Sequence, residues 1–262
     1  MNRNISRSLT MFDLRFSAVT LSQATEEVIG LIGLGRRELV VTPNVDHVVS
    51  MVHDTEMGIV FREARYRFAD GMPLVWLSRL RYREGLPKRV TGADLLFSVS
   101  AGAAQRGASI FLLGGREGVA ALAADKLQAG APGLEVSGVY SPPFGFEHDE
   151  RVSRDIVEMI NATQPNILFI GVGTPKQEKW AYRWRSELQC DVILGVGAAF
   201  DFAAGKARRA PRFVQQSGLE WLWRMMNDPV RLIPRYIFKD YKFLGLAVRE
   251  LAKGVRGSRT DG

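Results

Sequence analysis

The run Asn166-Ile167-Leu168-Phe169-Ile170-Gly171-Val172-Gly173-Thr174-Pro175 decides the fold class. Asn166 to Ile170 is too uniformly apolar to have a wet face, so it reads as a strand buried on both sides. Gly171-Val172-Gly173 ends it, and Pro175 stands at the start of a helix, where proline is best tolerated. Outward from this unit the pattern recurs. Ser109 to Leu113 is a strand that stops at Gly114-Gly115, and an Ala-rich helix follows from Gly118 to Gln128. Leu134 to Val139 and Asp191 to Gly195 read as further strands, with a helix at Glu150 to Ala162 and a turn at Gly197.

Towards the N-terminus the same alternation is looser. Phe12 to Val19 reads as a strand, and Ser22 to Gly33 as a helix capped by Ser22. Glu38 to Val41 is a buried strand ending at Thr42-Pro43-Asn44, and a helix spans Asp46 to Ala64. Tyr66 to Phe68 is a short strand ending at Ala69-Asp70-Gly71, followed by helices at Met72 to Arg81 and Ala93 to Arg106. The expected fold is therefore α/β over residues 1–202, a Rossmann-like, mostly parallel sheet with helices on both faces. In such folds ligands bind beyond the C-terminal ends of the strands.

The net charge of +7 is confined to one end. Residues 203–262 carry 13 Lys and Arg against five Asp and Glu; the first 202 residues carry 22 against 23. A neutral body with a basic tail predicts that the tail meets something anionic. Its pattern is helical and amphipathic, which defines a second unit, a basic helical appendage over 203–262. Either two helices pack on the body, or an interfacial segment lies on an anionic membrane surface with basic residues at the headgroups. The apolar positions of the appendage equally suit a homo-oligomer.

Cys190 is the single cysteine, which excludes an internal disulfide framework and a clustered-cysteine zinc site. Three histidines, His47, His53 and His148, form no metal-ligand pattern. Met1 to Thr10 lack the apolar core of a signal peptide, and no run of about 18 apolar residues spans a bilayer.

Candidate chemistry gathers at the strand ends. Asp70, between small neighbours, suits a general base in a cleft, or a cap for the Met72 helix. Thr42 and Asn44 offer a hydroxyl and an amide to a sugar or phosphate; Asn44 also suits a cap. Gly114-Gly115 and Gly171-Val172-Gly173 present backbone N–H groups that attract phosphate at a helix start, or simply tolerate positive φ. Gln177 suits a ribose or sugar hydroxyl, Glu178 favours the helix dipole, and Asp201 meets a ligand or an arginine. Arg208, Arg209, Arg212, Arg224, Arg231 and Arg235 form a basic series, and the arginine fork pairs with two oxygens of a diphosphate.

These residues fall in motifs: Thr42-Pro43-Asn44, Ala69-Asp70-Gly71-Met72-Pro73, Arg89-Val90-Thr91-Gly92, Phe111-Leu112-Leu113-Gly114-Gly115, Gly171-Val172-Gly173-Thr174-Pro175-Lys176-Gln177-Glu178-Lys179-Trp180, Gly195-Val196-Gly197-Ala198-Ala199-Phe200-Asp201, Arg209-Ala210-Pro211 and Gly218-Leu219-Glu220-Trp221-Leu222-Trp223-Arg224. In this order, from about Thr42 to Tyr236, the chain resembles the WecG/TagA/CpsF glycosyltransferases of bacterial surface polysaccharides and teichoic-acid linkage units. The resemblance implies an inverting, metal-independent transferase that needs no cofactor. It would take a UDP-sugar as donor and extend a polyprenyl-diphosphate-linked saccharide. It assigns Asp70 as base and places Thr42, Asn44, Arg89 and Gln177 around the transferred sugar or acceptor. It also implies that the appendage closes over the site and engages the membrane, which makes the chain peripheral on the cytoplasmic face. Many members read Gly-Val/Ile-Gly/Val after Ala-Asp-Gly, where this chain has Met72-Pro73-Leu74-Val75-Trp76. N-acetylmannosamine, glucose and glucuronate therefore all stay open as the donor sugar.

On this basis UDP is expected across the strand tips, held by Gly114, Gly171, Gly173, Gln177, Glu178 and Asp201. Arg209, Arg212, Arg224 and Arg231 are expected to neutralise the leaving diphosphate or the lipid diphosphate. The competing classes are an NAD(P)-dependent Rossmann oxidoreductase, whose glycine fingerprint Gly114-Gly115-Arg116-Glu117-Gly118 fits poorly, and a non-catalytic module that binds membrane. A nucleic-acid partner is not expected.

Overall fold

The computed structural model describes residues 7–207, 210–211, 214, 220–227 and 241–253. An antiparallel hairpin, β1 (Ser8–Met11) and β2 (Leu14–Ser17), precedes α1 (Leu21–Ile29). Then come β3 (Glu38–Val41), α2 (Val45–His53), α3 (Thr55–Glu63), β4 (Tyr66–Arg67), α4 (Met72–Arg81) and α5 (Gly92–Gln105). The second half runs β5 (Ser109–Gly114), α6 (Val119–Gly130), β6 (Glu135–Tyr140), α7 (Glu150–Thr163), β7 (Ile167–Gly171), α8 (Lys176–Trp184), β8 (Val192–Gly195) and α9 (Ala199–Ala203). Beyond it lie helices at Glu220–Asn227 and Lys242–Ala252.

β3 to β8 form one parallel sheet in the order β4-β3-β8-β7-β5-β6. Every residue of β5 and β8 is buried, as strands covered on both faces require. One core packs α1, α5, α6 and α9 against one face of the sheet. The other packs α2, α3, α4, α7, α8, the hairpin and Phe243 of the C-terminal helix against the opposite face. In α7 the buried positions Ser153, Ile156, Val157 and Ile160 repeat at helical spacing. Each of those aliphatic side chains contributes about 1.5–3 kcal/mol by leaving water.

The topology creates one crevice. β5 leads through α6 to β6 on one side, whereas β7 leads through α8 to β8 on the other, and the two helices lie on opposite faces. The tips of β5 and β7 therefore open onto a topological switch point, where doubly wound sheets bind ligands. The strands approach closely there. A Cβ on Gly114 would lie 2.6 Å from the Gly171 carbonyl carbon, and Gly114 has φ of +128°. Only glycine meets both constraints.

The fold differs from the sequence reading in three places. Of the expected strand Phe12 to Val19, Leu14–Ser17 is a strand, but it is the second arm of a hairpin begun by Ser8–Met11, because Phe12 and Asp13 both adopt positive φ and turn the chain. The first helix is capped by Thr20, not Ser22, through a capping box with Gln23. The helix expected from Asp46 to Ala64 breaks at Asp54, whose extended backbone ends α2 and whose side chain caps α3. Of the appendage, Glu220–Asn227 and Lys242–Ala252 are helices, and the latter contacts α2 and α4.

Candidate active site

The crevice holds a cleft of about 830 Å³ lined by Gly115, Gly118, Gly171 and Asp201. Arg116 and Lys176 add cations to its wall, and Tyr140 and Phe144 add rings. Phe144 is 98% exposed, and the Lys176 ammonium lies 4.3 Å from its ring centroid. Lys176 Nζ also pairs with Glu147 Oε1 at 2.5 Å. Burial would raise the Glu147 carboxyl, but the hydrogen bond and charge of Lys176, a backbone hydrogen bond and the nearby His148 together outweigh it and hold the group below the ordinary carboxylate range. The cleft thus combines two cations, the three carboxylates of Glu117, Glu147 and Asp201, aromatic rings and the start of α6; its cations, rings and helix start suit an anionic group attached to a flat ring.

A second group of residues sits at the tips of β3 and β4. The Asp70 N–H donates to the Pro43 carbonyl at 2.8 Å, and the Val90 N–H donates to the Ala69 carbonyl at 2.9 Å. A Cβ on Gly92 would be 3.4 Å from Thr42 Oγ1 and 3.1 Å from Val196 Cα. These contacts bring Thr42, Asn44, Asp70 and the Arg89–Gly92 segment to one corner of the sheet. Asp70 and Arg89 are both partly buried. Gly71, not Asp70, is the N-cap of α4, and no side chain caps that helix. Asp70 therefore does not serve as its cap. Asn44 does cap: its side chain accepts from the His47 N–H at 3.2 Å.

Between corner and cleft, Gln177 occupies a buried position at the start of α8. Its Oε1 accepts from the N–H of Gly173 at 3.2 Å and of Gly197 at 3.1 Å. Its Nε2 donates to Glu178 Oε1 at 2.8 Å. Gly195 makes room for this amide, since a Cβ there would lie 2.8 Å from Nε2. Glu178 also accepts from the Thr174 hydroxyl at 3.1 Å, and Thr174 Oγ1 lies 2.6 Å from His47 Nε2. Burial pushes the Glu178 carboxyl up, but the nearby His47, whose Nε2 lies 3.6 Å away, and the Gln177 hydrogen bond together with a backbone hydrogen bond prevail and hold it low.

Of the expected UDP cradle, Gly171 and Asp201 line the cleft. Gly114 is buried behind it, against Gly171. The Gly173 N–H, expected to face a phosphate, donates to Gln177 instead. Gln177 and Glu178 are 5% and 4% exposed and stand beneath the strand tips rather than on the cleft wall. Arg209, Arg212 and Arg231 lie outside the described residues, as does the Arg224 side chain, although the Arg224 backbone is in the Glu220–Asn227 helix. Arg116, Lys176, Tyr140 and Phe144 were not singled out from the sequence. They come from three separate segments, and the pairing of β5 with both β6 and β7 brings them together. Gly115-Arg116 beside an expected phosphate turn was the one available signal.

The sequence model described as "Glycosyl transferase WecG/TagA/CpsF family" matches residues 9–257. A relative from Bacillus spizizenii, named N-acetylglucosaminyldiphosphoundecaprenol N-acetyl-beta-D-mannosaminyltransferase, is 29% identical over 203 residues, covering 76% of each chain.

Proposed function

The chain belongs to the WecG/TagA/CpsF family of glycosyl transferases, and on that premise we propose that it moves a hexose-type sugar from a UDP-sugar to an undecaprenyl-diphosphate-linked saccharide. The observation that carries this reading is the placement of Asp70, with Thr42, Asn44 and Arg89, at one end of the strand-tip edge that also bears the 830 Å³ cleft. The relative's name, a transferase acting on a diphosphoundecaprenol-linked sugar, supports the acceptor class.

In this reading the nucleotide diphosphate occupies the cleft between β5 and β7, and the sugar extends towards the β3–β4 corner. The Asp70 carboxylate takes the proton of the acceptor hydroxyl. The oxygen bonds to the anomeric carbon from the face opposite the diphosphate, whose C–O bond breaks with its electron pair passing to UDP. Configuration at that carbon inverts. Arg116 and Lys176 face the developing diphosphate charge from the cleft, and Arg209, Arg212, Arg224 and Arg231, whose side chains lie outside the described residues, are assigned to neutralise it or the lipid diphosphate. Fixed cations then do the work that a metal ion does in other sites.

The C-terminal helix supports membrane docking. Leu244, Val248 and Leu251 recur on one helical face and are 69%, 67% and 37% exposed, with Tyr241 one turn earlier and Lys242 and Arg249 beside them. Among the described residues no helix is long and apolar enough to cross a membrane. An apolar stripe flanked by cations suits the anionic inner leaflet, which makes the protein peripheral on the cytoplasmic side.

The test is a donor screen. Purified protein, a short-chain polyprenyl-diphosphate N-acetylglucosamine and a panel of UDP-sugars are assayed for UDP release, with and without EDTA. Acceptor-dependent release that survives EDTA is expected. No release with any donor would overturn the reading, and release abolished by EDTA would overturn its metal-free form.

A further inference from the structure

A chain of hydrogen bonds runs through the protein beneath the site just described. It starts at the tip of β3, where the Asn44 N–H donates to His47 Nδ1 at 3.0 Å. Because Nδ1 accepts, the ring proton is on Nε2. Nε2 can then donate to Thr174 Oγ1 at 2.6 Å, and the Thr174 hydroxyl donates onward to Glu178 Oε1 at 3.1 Å. The same oxygen accepts from Gln177 Nε2 at 2.8 Å. Gln177 Oε1 finally collects the N–H groups of Gly173 and Gly197. Each link has one donor and one acceptor, and the directions agree throughout. The carboxylate is the sink, since it can only accept. The chain joins the tips of β3, β7 and β8.

This arrangement is a poor choice for stability alone. His47, Gln177 and Glu178 are 6%, 5% and 4% exposed. Glu178 Oε2 is buried with no hydrogen-bond partner among the described residues. A buried, half-satisfied carboxylate costs free energy that an apolar contact would not. His47 is also held by the Phe61 ring, 5.2 Å away, so the imidazole is fixed on more than one side.

We propose that His47, Thr174 and Glu178 are positioning residues, which lock Asn44 on one side and the β7 and β8 tips on the other into the spacing that sugar transfer requires. They touch no substrate; they act through Asn44 and Gln177. The proposal rests on the transferase reading above. An error on the order of 1 Å in such a spacing costs roughly 10²-fold in rate, so a device spanning three strand tips has a clear use.

His47→Gln separates this role from simple helix capping. Glutamine at this position reaches back to the cap N–H, as Gln23 does to Thr20 in α1, so the helix cap survives while the link to Thr174 is cut. Thr174→Val removes the hydroxyl at nearly constant shape, and Thr174→Ser restores it. Expected are a Tm close to that of the unaltered protein, an unchanged KM for the donor, and kcat lower by about 10–100-fold in His47→Gln and Thr174→Val, with Thr174→Ser recovering most of it. A kcat within twofold in both variants overturns the proposal. NMR supplies a readout that needs no turnover. The His47 nitrogens should show the Nε2–H tautomer, and Thr174→Val should shift the Gly173 and Gly197 amide signals. An Nδ1–H tautomer, or unmoved glycine signals, overturns the proposal even if no donor is found, whereas an inactive unaltered protein with these signals in place overturns only the transferase reading.

Discussion

Arg81, at the end of α4, and Glu250, on the C-terminal helix, form a buried ion pair in which each side chain is 3% exposed. The pair fastens the appendage to the helix that begins two residues after Asp70. Arg81 Nη1 also donates to the Thr10 carbonyl at 3.1 Å, so the N-terminal hairpin is held at the same point. Removing one partner strands the other charge. Arg81→Met should destabilise the protein by about 3–5 kcal/mol, less whatever Lys253, 3.0 Å from the other Glu250 oxygen, compensates. Urea unfolding measures it. The double variant Arg81→Met with Glu250→Leu should regain much of the loss, and a single variant that loses under about 1 kcal/mol would show that the pair is not holding the helix.

The held-down carboxyl of Glu178 gives a signed pH dependence. Its folded pKa lies below the reference value of 4.5, burial opposing and the nearby His47, the Gln177 hydrogen bond and a backbone hydrogen bond together prevailing. A depressed carboxyl contributes stability that is present above the unfolded pKa and disappears as pH falls through the folded one. Glu178→Gln should therefore flatten the fall in denaturant midpoint below about pH 4.5 and leave its slope near neutrality unchanged. Parallel curves for the two proteins across the acid range would contradict this.

Lys176 should matter to nucleotide affinity because it is one of two cations on the cleft wall. A diphosphate would draw it from Glu147. Lys176→Ala is expected to weaken UDP binding by about tenfold, equivalent to the loss of one exposed charge-assisted hydrogen bond of about 1.4 kcal/mol. Calorimetric titration with UDP checks it, and equal affinity would place the diphosphate elsewhere.

The exposed stripe on the C-terminal helix should carry membrane attachment without carrying chemistry. Leu244→Gln with Val248→Gln is expected to reduce sedimentation with phosphatidylglycerol vesicles several-fold. Turnover on a short-chain, water-soluble acceptor should be preserved. Undiminished sedimentation would exclude this face as the attachment surface.

The parts of the fold legible in the sequence are those with buried, repetitive chemistry. β3 is found at its read bounds, Glu38 to Val41, and β5, β7 and β8 within a residue or so, because strands covered on both faces leave unbroken apolar runs. Their glycine ends were equally plain, and with them the edge on which the site lies. The Phe12-Asp13 hairpin was hidden because its two positive-φ residues are neither Asn nor Gly, the usual mark of such a turn. The break at Asp54 was hidden by a continuous helical pattern on both sides. His47 looked like an ordinary helical residue, since its partners Thr174 and Glu178 are more than a hundred positions away and only sheet order makes them neighbours. The same holds for Arg116, Tyr140, Phe144 and Lys176. Residue types at strand ends are local information, whereas a cleft between β5 and β7 is a property of topology.

The measurement that bears most directly on the account is the turnover of Asp70→Asn with a UDP-sugar and a short-chain polyprenyl-diphosphate acceptor. Asp70 is not the N-cap of α4, and asparagine keeps the size of the side chain, so the variant should fold. UDP affinity should be unchanged, while kcat falls by roughly 10²–10⁴-fold, the contribution of a general base. Near-normal turnover by a folded Asp70→Asn protein would contradict the assignment of the base and, with it, the reading of the β3–β4 corner as the place where the sugar is transferred.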